Sequence, residues 1–182
     1  MCKDSTGRPG VVADCALTVS TNTVHAGVRK DIPEICDMSL GDIDVVLEIG
    51  SSEQYFSVSE EPGQSTGFWS RETLERWVLS ESDISLVAKS EDRIIGFALT
   101  TVHFTNRKAE CENIWVDPKW HGAKVGQALV ECTIARIHES DSADVIIALV
   151  DDNNRAGQDF FQNRMGFTRG KSHVWLTRRI AD

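Results

Sequence analysis

One segment, from Ile114 to Leu129, limits the possible folds of this chain more than any other. A strand-like apolar stretch ends at Val116, Pro118 marks a turn, and small residues lead into a helix that begins near Gly126. Such a loop presents consecutive backbone N–H groups at a helix N-terminus, where the helix dipole also favours negative charge. The segment therefore predicts a phosphate-binding turn between a strand and a helix.

Composition restricts the classes of partner. The chain has 182 residues, enough for one domain with a substantial core. Lys+Arg 19 against Asp+Glu 28 gives a formal net charge of −9, which disfavours nonspecific nucleic-acid binding. No apolar run approaches the roughly 20 residues of a membrane span, and the first residues lack the charged-then-apolar pattern of an export signal. We therefore expect neither a nucleic-acid nor a membrane partner.

The cysteines and histidines favour a reduced, metal-free protein. The cysteines are odd in number, none has a partner at CxxC spacing, and the five histidines are scattered. We expect free thiols, a cytoplasmic location and no metal site. The cysteines concerned are Cys2, Cys15, Cys36, Cys111 and Cys132.

The hydrophobic pattern predicts an α/β (α+β) domain preceded by an extension. Residues 1–33 are rich in Ser, Thr, Asn and Gly, so we interpret them as an N-terminal extension, and residues 34–182 as the folded domain. The order β-α-α-β-β-β-α-β-α-β predicts a mixed sheet of about six to seven strands with helices on both faces. Strands are expected at 35–38, 84–88, 94–102, 110–116, 145–150 and 173–176, with a further short strand at 16–19, and helices at 43–47, 70–78, 126–138 and 154–165. The continuous apolar run at 145–150 is typical of a strand buried on both faces.

The loop pattern suggests a family. His121, Lys124 and Gly126 occupy the positions of a Gln/Arg-x-x-Gly-x-Gly/Ala motif, with Trp120 and Gly122 inside the same loop. The segment resembles the acyl-CoA pyrophosphate loop of the GNAT N-acetyltransferases, and the predicted order of elements is also that of the GNAT fold. Two motif positions depart from the pattern, because His121 stands where Arg or Gln is usual and Lys124 replaces the first glycine.

Each departure has two interpretations. Lys124 either supplies a cationic contact to the pyrophosphate, or places a Cβ where glycine is usual and weakens CoA binding. Its side chain costs little only if φ at that position is negative. His121 is either a phosphate contact or a surface histidine.

A second block, from Asn154 to Phe167, resembles the family's Asn-x-x-Ala/Gly…Tyr…Gly-Phe segment. The resemblance implies that Asn154 contacts the pantetheine arm of CoA, and capping of the following helix is the alternative or an additional role. Phe161 falls in the slot where many members carry the tyrosine that protonates the leaving thiolate, which a phenyl ring cannot do. One residue more than usual separates that slot from Gly166, so the register is open by one.

The strand before the loop carries two candidate general bases, Glu110 and Glu112. Strict alternation predicts that both share one face with Ile114 and Val116. A carboxylate near the amine can take its proton directly or through water, and the alternative is that each glutamate is a solvated strand residue. Cys111 is a less favourable nucleophile, because it alternates to the other face.

The resemblance implies an acetyl-CoA-dependent N-acetyltransferase acting on a primary amine, with no metal. It also implies a sheet splayed between the strands at 110–116 and 144–150, and the homodimers common in the family. Acidic residues between 43 and 77 suggest a cationic acceptor, although a solvated acidic loop is the better explanation of them, and Tyr55 is a remote candidate for a general acid. The alternatives are a catalytically silent CoA sensor and an interaction module that has lost CoA. Cofactor contacts are expected from Ile114, Trp115, Val116, His121, Gly122, Ala123, Lys124, Val125, Gly126, Asn154 and Phe161.

Overall fold

The structure is a computed structural model that describes residues 33–53 and 68–171. Its strands are β1 (Glu34–Asp37), β2 (Ile84–Ser90), β3 (Arg93–His103), β4 (Lys108–Val116) and β5 (Val145–Ala148). Its helices are α1 (Ile43–Ser52), α2 (Arg71–Leu79), α3 (Val125–Glu139) and α4 (Arg155–Asp159), the last continuing into a π-helical turn (Phe160–Arg164).

The described strands form one sheet in the order β1-β2-β3-β4-β5. The first four strands pair antiparallel, and β5 lies parallel to β4. The mixed α/β architecture predicted from the sequence is confirmed, with five strands in the described part of the chain. The further strands predicted at 16–19 and 173–176 lie outside the described residues, as does most of the predicted extension at 1–33.

Helices cover both faces of the sheet. On one face, α3 packs Val125, Leu129 and Cys132 against strand residues such as Leu86 and Ala98. On the other face, α1 and α2 bury Ile43, Val46, Leu74 and Trp77 against Phe97 and Leu99. We refer to these as the α3 face and the α2 face. The two faces of β4 therefore meet different apolar layers, with Ile114 packed against the α3 face and Trp115 against the α2 face.

The start of each helix follows from its capping residues. Ser70 is the N-cap of α2, and its hydroxyl accepts a hydrogen bond from the Thr73 amide at 3.2 Å. Asp42 occupies the N-cap position of α1, but its carboxylate closes the preceding 3₁₀ turn by accepting bonds from the Ser39 amide and hydroxyl at 2.9 and 2.7 Å. Lys89 completes this site at 2.6 Å, so the carboxylate ties the entry of α1 to β2.

Two expectations about the core are wrong. The strand predicted at 145–150 ends at Ala148, and it is not buried on both faces, since Val145 is 52% and Leu149 is 60% exposed. The apolar run predicts a longer strand than the one that forms, because β5 pairs with β4 over only four residues. The expectation of free thiols holds for the buried Cys111 and Cys132, whereas Cys36 is disulfide-bonded.

Candidate functional site

The loop between β4 and α3 is fixed at its start by a buried carboxylate. Asp117 is 5% exposed, accepts a bond from the Lys119 amide at 2.9 Å, and pairs with Arg93 on β3. A 3₁₀ turn over Pro118–Trp120 follows, and the chain then reverses through Gly122, whose φ is 81°. The loop is therefore anchored to the sheet and delivers its last residues to the start of α3.

The first turn of α3 supplies backbone donors. The Ala128 amide bonds to the Lys124 carbonyl at 2.9 Å. The amides of Val125, Gly126 and Gln127 come before it, in the part of a helix that intrahelical carbonyls cannot reach. A Cβ at Gly126 would lie 3.4 Å from both Phe160 and Val116, so the absence of a side chain keeps this corner open. These features are typical of an anion site at a helix N-terminus.

Lys124 is exposed and adopts a left-handed conformation, with φ 62° and ψ 14°. Glycine is the residue that takes this conformation without strain. The condition under which the lysine side chain would cost little, a negative φ, is therefore not met.

The sheet opens beside this loop. β4 and β5 pair only from Lys108↔Val145 to Cys111↔Ala148, after which β4 continues to Val116 while β5 ends. Just after β4, the Asp117 amide donates to the Ile95 carbonyl at 2.9 Å, so Asp117 and Ile95 form a hydrogen-bonded pair. In antiparallel strands such pairs alternate with non-hydrogen-bonded ones, so the main-chain groups of the next pair, Gly96↔Val116, point away from each other. The N–H and C=O groups of Val116, and of Ile114 two residues earlier, therefore face the opening rather than β3.

His121 contacts this strand. Its Nε2–H donates to the Val116 carbonyl oxygen at 3.0 Å, while the ring remains on an exposed residue. The ring is thereby held at the mouth of the opening, next to the first turn of α3.

A β-bulge in β4 overturns the expected arrangement of its side chains. Leu99 pairs with Asn113 and Thr100 with Cys111, so Glu112 is an extra residue with no partner in β3. Glu110 and Glu112 do share a face, the α2 face: Glu110 pairs with Thr101, whose hydroxyl accepts a bond from Trp77 of α2, and the same hydroxyl acts on the Glu112 carboxylate. Ile114 and Val116, predicted on that same face, pack instead against the α3 face. The prediction failed because strict alternation does not allow for an inserted residue.

The two carboxylates differ in environment. Glu110 accepts a bond from Lys108 Nζ at 3.2 Å. Glu112 has a pKa raised above its usual range, first by burial and then by the negative charge of Glu110, with partial compensation from Thr101, His103 and Lys108. A carboxyl whose pKa moves towards neutrality is well matched to the role of general base, and Glu110 is already paired with Lys108, so Glu112 is the stronger candidate.

Two tryptophans beside these carboxylates, Trp69 and Trp77, had no predicted role, and a third, Trp115, was expected to contact the cofactor. Trp69 Nε1 donates to Asn113 Oδ1 at the bulge, and Trp77 Nε1 donates to Thr101 Oγ1 at 3.3 Å. The Trp115 indole donates to Glu53 Oε1 at 2.7 Å and stacks on Phe97. A signal existed in the sequence, because five tryptophans in 182 residues are many, but their partners lie 24 to 62 residues away.

The second predicted block closes the other side of the opening. Asn154 caps α4, with its Oδ1 accepting a bond from the Gly157 amide at 2.9 Å. The π-helical turn that follows, with the Met165 amide bonded to the Phe160 carbonyl at 3.1 Å, accommodates the extra residue noted before Gly166. Phe161 is buried at 7% exposure, whereas the partly exposed Phe160 lies beside Gly126. The geometry therefore favours Phe160 over Phe161 for contact with a ligand at the loop.

Cys111 is unsuited to nucleophilic catalysis. It is buried against Val130 and Phe161 on the α3 face, away from both glutamates. Burial, more than any neighbouring charge, raises the pKa of its thiol to about 12. The reactive thiolate is therefore scarce near neutrality.

Residues 33–53 and 68–171 contain no group of three or more His, Cys, Asp or Glu side chains arranged to hold a metal ion. None of the helices formed by the same residues combines the length and apolar character needed to cross a membrane.

Comparison with known proteins agrees with this geometry. The profile of the Acetyltransferase (GNAT) family matches residues 51–167, well over half of the chain. The ribosomal-protein-S18-alanine N-acetyltransferase of Escherichia coli superposes with a TM-score of 0.60 at 20% identity, covering 77% of this chain and 80% of that one. An aminoglycoside N-acetyltransferase in complex with CoA superposes with a TM-score of 0.62 at 16% identity, covering 86% and 99%.

The open sheet, split beside a helix N-terminus, defines a GNAT-type α/β domain. The chain belongs to the GNAT acetyltransferase family. A curated relative, the mycothiol acetyltransferase of Salinispora tropica, is 29% identical over 85 residues, which is 45% of this chain. The chain spans only 27% of the length of that relative.

Proposed function

We propose that this protein transfers an acetyl group from acetyl-CoA to a primary amine, with Glu112 as the general base. The observation that carries the proposal is the opening between β4 and β5 beside the first turn of α3. In this one place, main-chain groups without a strand partner, a helix N-terminus and a carboxylate with a raised pKa occur together.

The residues present fit the chemistry of CoA. A diphosphate needs hydrogen-bond donors and positive charge, which the first turn of α3 and the exposed Lys124 supply. The pantetheine arm carries amide groups. The main chain of Ile114 and the N–H of Val116 face the opening and can bond to them, whereas the Val116 carbonyl already accepts from His121. When bound, acetyl-CoA supplies an activated thioester.

The remaining chemistry belongs to the side chains and main chain of β4. Glu112 takes the proton from the attacking amine, directly or through water. The Val116 N–H, which faces the opening, is placed to polarise the thioester carbonyl. A thiol with an ordinary pKa is an acceptable leaving group near neutrality, so a general acid is not essential. Tyr55, the only tyrosine, lies outside the described residues.

The acceptor class follows from the surroundings of Glu112. The α2 face of β4 presents Glu110 and Glu112, and Glu53 stands over Trp115 at its end. Negative charge beside indole rings suits a cationic amine. The similar aminoglycoside and ribosomal-protein acetyltransferases are named for amine acceptors of different sizes, so both classes belong in a screen.

The first experiment is a calorimetric titration of acetyl-CoA, with desulfo-CoA and adenosine diphosphate as comparators. We expect saturable micromolar binding, and the lack of binding at millimolar ligand would reject the cofactor site. The second is acetyl transfer to spermine, kanamycin and a peptide with an N-terminal alanine. Glu112→Gln should lower kcat/KM by roughly 10²- to 10⁴-fold, the usual effect of losing a general base. Glu110→Gln is the matched control and should have a much smaller effect.

A CoA-binding sensor is the second candidate. The rings at the expected acid position are Phe160 and Phe161, neither of which has a proton to donate. This alternative predicts the same calorimetric binding but no transfer to any of the three amines. The cytoplasmic location, the homodimer and the boundary of the extension at residue 33 stay predictions from the sequence.

A further inference from the structure

A buried tryptophan on α2 reaches the candidate base through one hydroxyl group. Trp77 is 8% exposed, and its Nε1–H donates to Thr101 Oγ1 at 3.3 Å. A buried indole N–H requires an acceptor, so this bond fixes the Thr101 side chain on the α2 face of β3. Thr101 pairs across the sheet with Glu110 and lies next to Glu112 at the bulge.

The direction of the Thr101 proton follows from this arrangement. A hydroxyl group has one proton to donate and two lone pairs. Because one lone pair already accepts from Trp77, the proton is free to point at another acceptor. The bulge leaves Glu112 on the same face of the sheet as Thr101, within diagonal reach of its hydroxyl, and donation of that proton to the carboxylate favours the charged form and lowers the pKa of Glu112 against the effect of burial. The other charged groups acting on Glu112 are Glu110, which raises the pKa, and His103 and Lys108, which lower it.

We propose that Thr101, held by Trp77, is a positioning residue that aims the Glu112 carboxylate and keeps it ready to accept a proton. This inference rests on the proposed function, because it assigns a role to a residue that supports the general base. It goes beyond that function by placing a specific part of α2 and β3 in control of the pH at which the enzyme works.

The test is the pH dependence of kcat/KM with acetyl-CoA and kanamycin, spermine or the alanine peptide. Thr101→Val removes the hydroxyl at nearly constant volume, so Glu112 should hold its proton to higher pH. The acidic limb of the profile should then move to higher pH, while the alkaline plateau stays unchanged. Thr101→Ser keeps the hydroxyl and should leave the acidic limb at its wild-type pH. Trp77→Phe, which keeps a ring but loses the N–H, should move the limb to higher pH, as Thr101→Val does.

The matched control is Thr100→Val in the neighbouring residue. Thr100 is fully buried on the opposite face, where its hydroxyl lies beside the Cys111 thiol and not beside Glu112, so this substitution should leave the limb in place. An unmoved limb in Thr101→Val, in a protein where Glu112→Gln abolishes transfer, overturns the inference alone. An unaffected rate in Glu112→Gln instead rejects the assignment of the base in the proposed function.

Thermal unfolding gives a readout that does not need activity. The fall in Tm caused by Thr101→Val should grow as pH rises and Glu112 ionises, because the lost bond is stronger to the charged carboxylate. In a Glu112→Gln background the same fall should not depend on pH. Equal pH dependence in the two backgrounds would show that Thr101 does not act on Glu112.

Discussion

Replacing Lys124 by glycine separates what this residue does for the fold from what it does for the ligand. A side chain in the left-handed conformation costs about 1–2 kcal/mol, and Lys124 has φ 62°. Glycine loses more chain entropy on folding, which offsets about 0.5–1 kcal/mol of that relief. We therefore expect Lys124→Gly to raise the free energy of unfolding by about 0–1.5 kcal/mol. For a domain of this size the upper end of that range is a rise in Tm of roughly 3–6 °C, measurable by calorimetry.

The same variant should bind acetyl-CoA less tightly, because it removes a positive charge beside the pyrophosphate site. Its affinity should also depend less on salt, since ionic screening acts on charged contacts. Lys124→Gln is the control for charge, because it keeps the backbone strain but loses the cation. It should share the weaker binding without the gain in Tm.

Glu91→Gly is the control for strain. Glu91 also has a positive φ, 54°, and lies in the turn between β2 and β3. It should raise Tm and leave acetyl-CoA affinity unchanged. The reasoning about strain is refuted if Glu91→Gly stabilises the protein and Lys124→Gly does not. A gain in acetyl-CoA affinity in Lys124→Gly would show that the side chain obstructs the loop rather than contacting phosphate.

Three further substitutions test other parts of the structure. Burial raises the pKa of Glu112, so its contribution to stability is present in acid and is lost as pH rises through that pKa. The Tm of Glu112→Gln should therefore increase relative to the Tm of the wild type as pH rises. A difference in Tm that does not change with pH would contradict this. A Cβ at Gly96 would lie 3.0 Å from the Trp115 carbonyl and 3.2 Å from Val125, so Gly96→Ala should cost about 1–3 kcal/mol in denaturant unfolding and weaken acetyl-CoA binding by displacing α3. Ser70→Ala removes the N-cap of α2 and should cost about 1 kcal/mol, whereas Ser70→Asp should retain most of the stability.

The sequence predicted those parts of the protein that depend on local chemistry. The α3 helix, expected at 126–138, runs from Val125 to Glu139, because its loop and apolar spacing are both local signals. The helix expected at 70–78 and the strands expected at 84–88 and 94–102 were predicted for the same reason, and they correspond to α2, β2 and β3. What failed depended on pairing between distant segments. β5 ends at Ala148 because its pairing with β4 ends there, and the extent of that pairing cannot be predicted from the local sequence.

The candidate site shows the same division. The loop, the helix N-terminus and the two glutamates were found as motifs in one continuous segment. The partners of Glu112 were not, because Thr101 belongs to another strand and Trp77 to α2. The sequence did show an extra residue before Gly166, which left open whether Phe160 or Phe161 faces the ligand. The choice of Phe160 depends on the π-helical turn after α4, which the sequence pattern does not predict.

The bulge at Glu112 has a consequence for how one strand can serve two ligands. Up to the bulge, the side chains at even-numbered positions of β4 lie on the α2 face, and after the bulge those at odd-numbered positions do. The alternation of side chains along β4 thus changes phase once, and within each half of the strand successive side chains still alternate between the α2 face and the α3 face. Deleting a single residue there would not shorten a loop; it would interchange the roles of two rows of side chains. A carboxylate on this strand is therefore located by its position relative to the phase change, and counting residues back from the loop is not enough to find it in a relative.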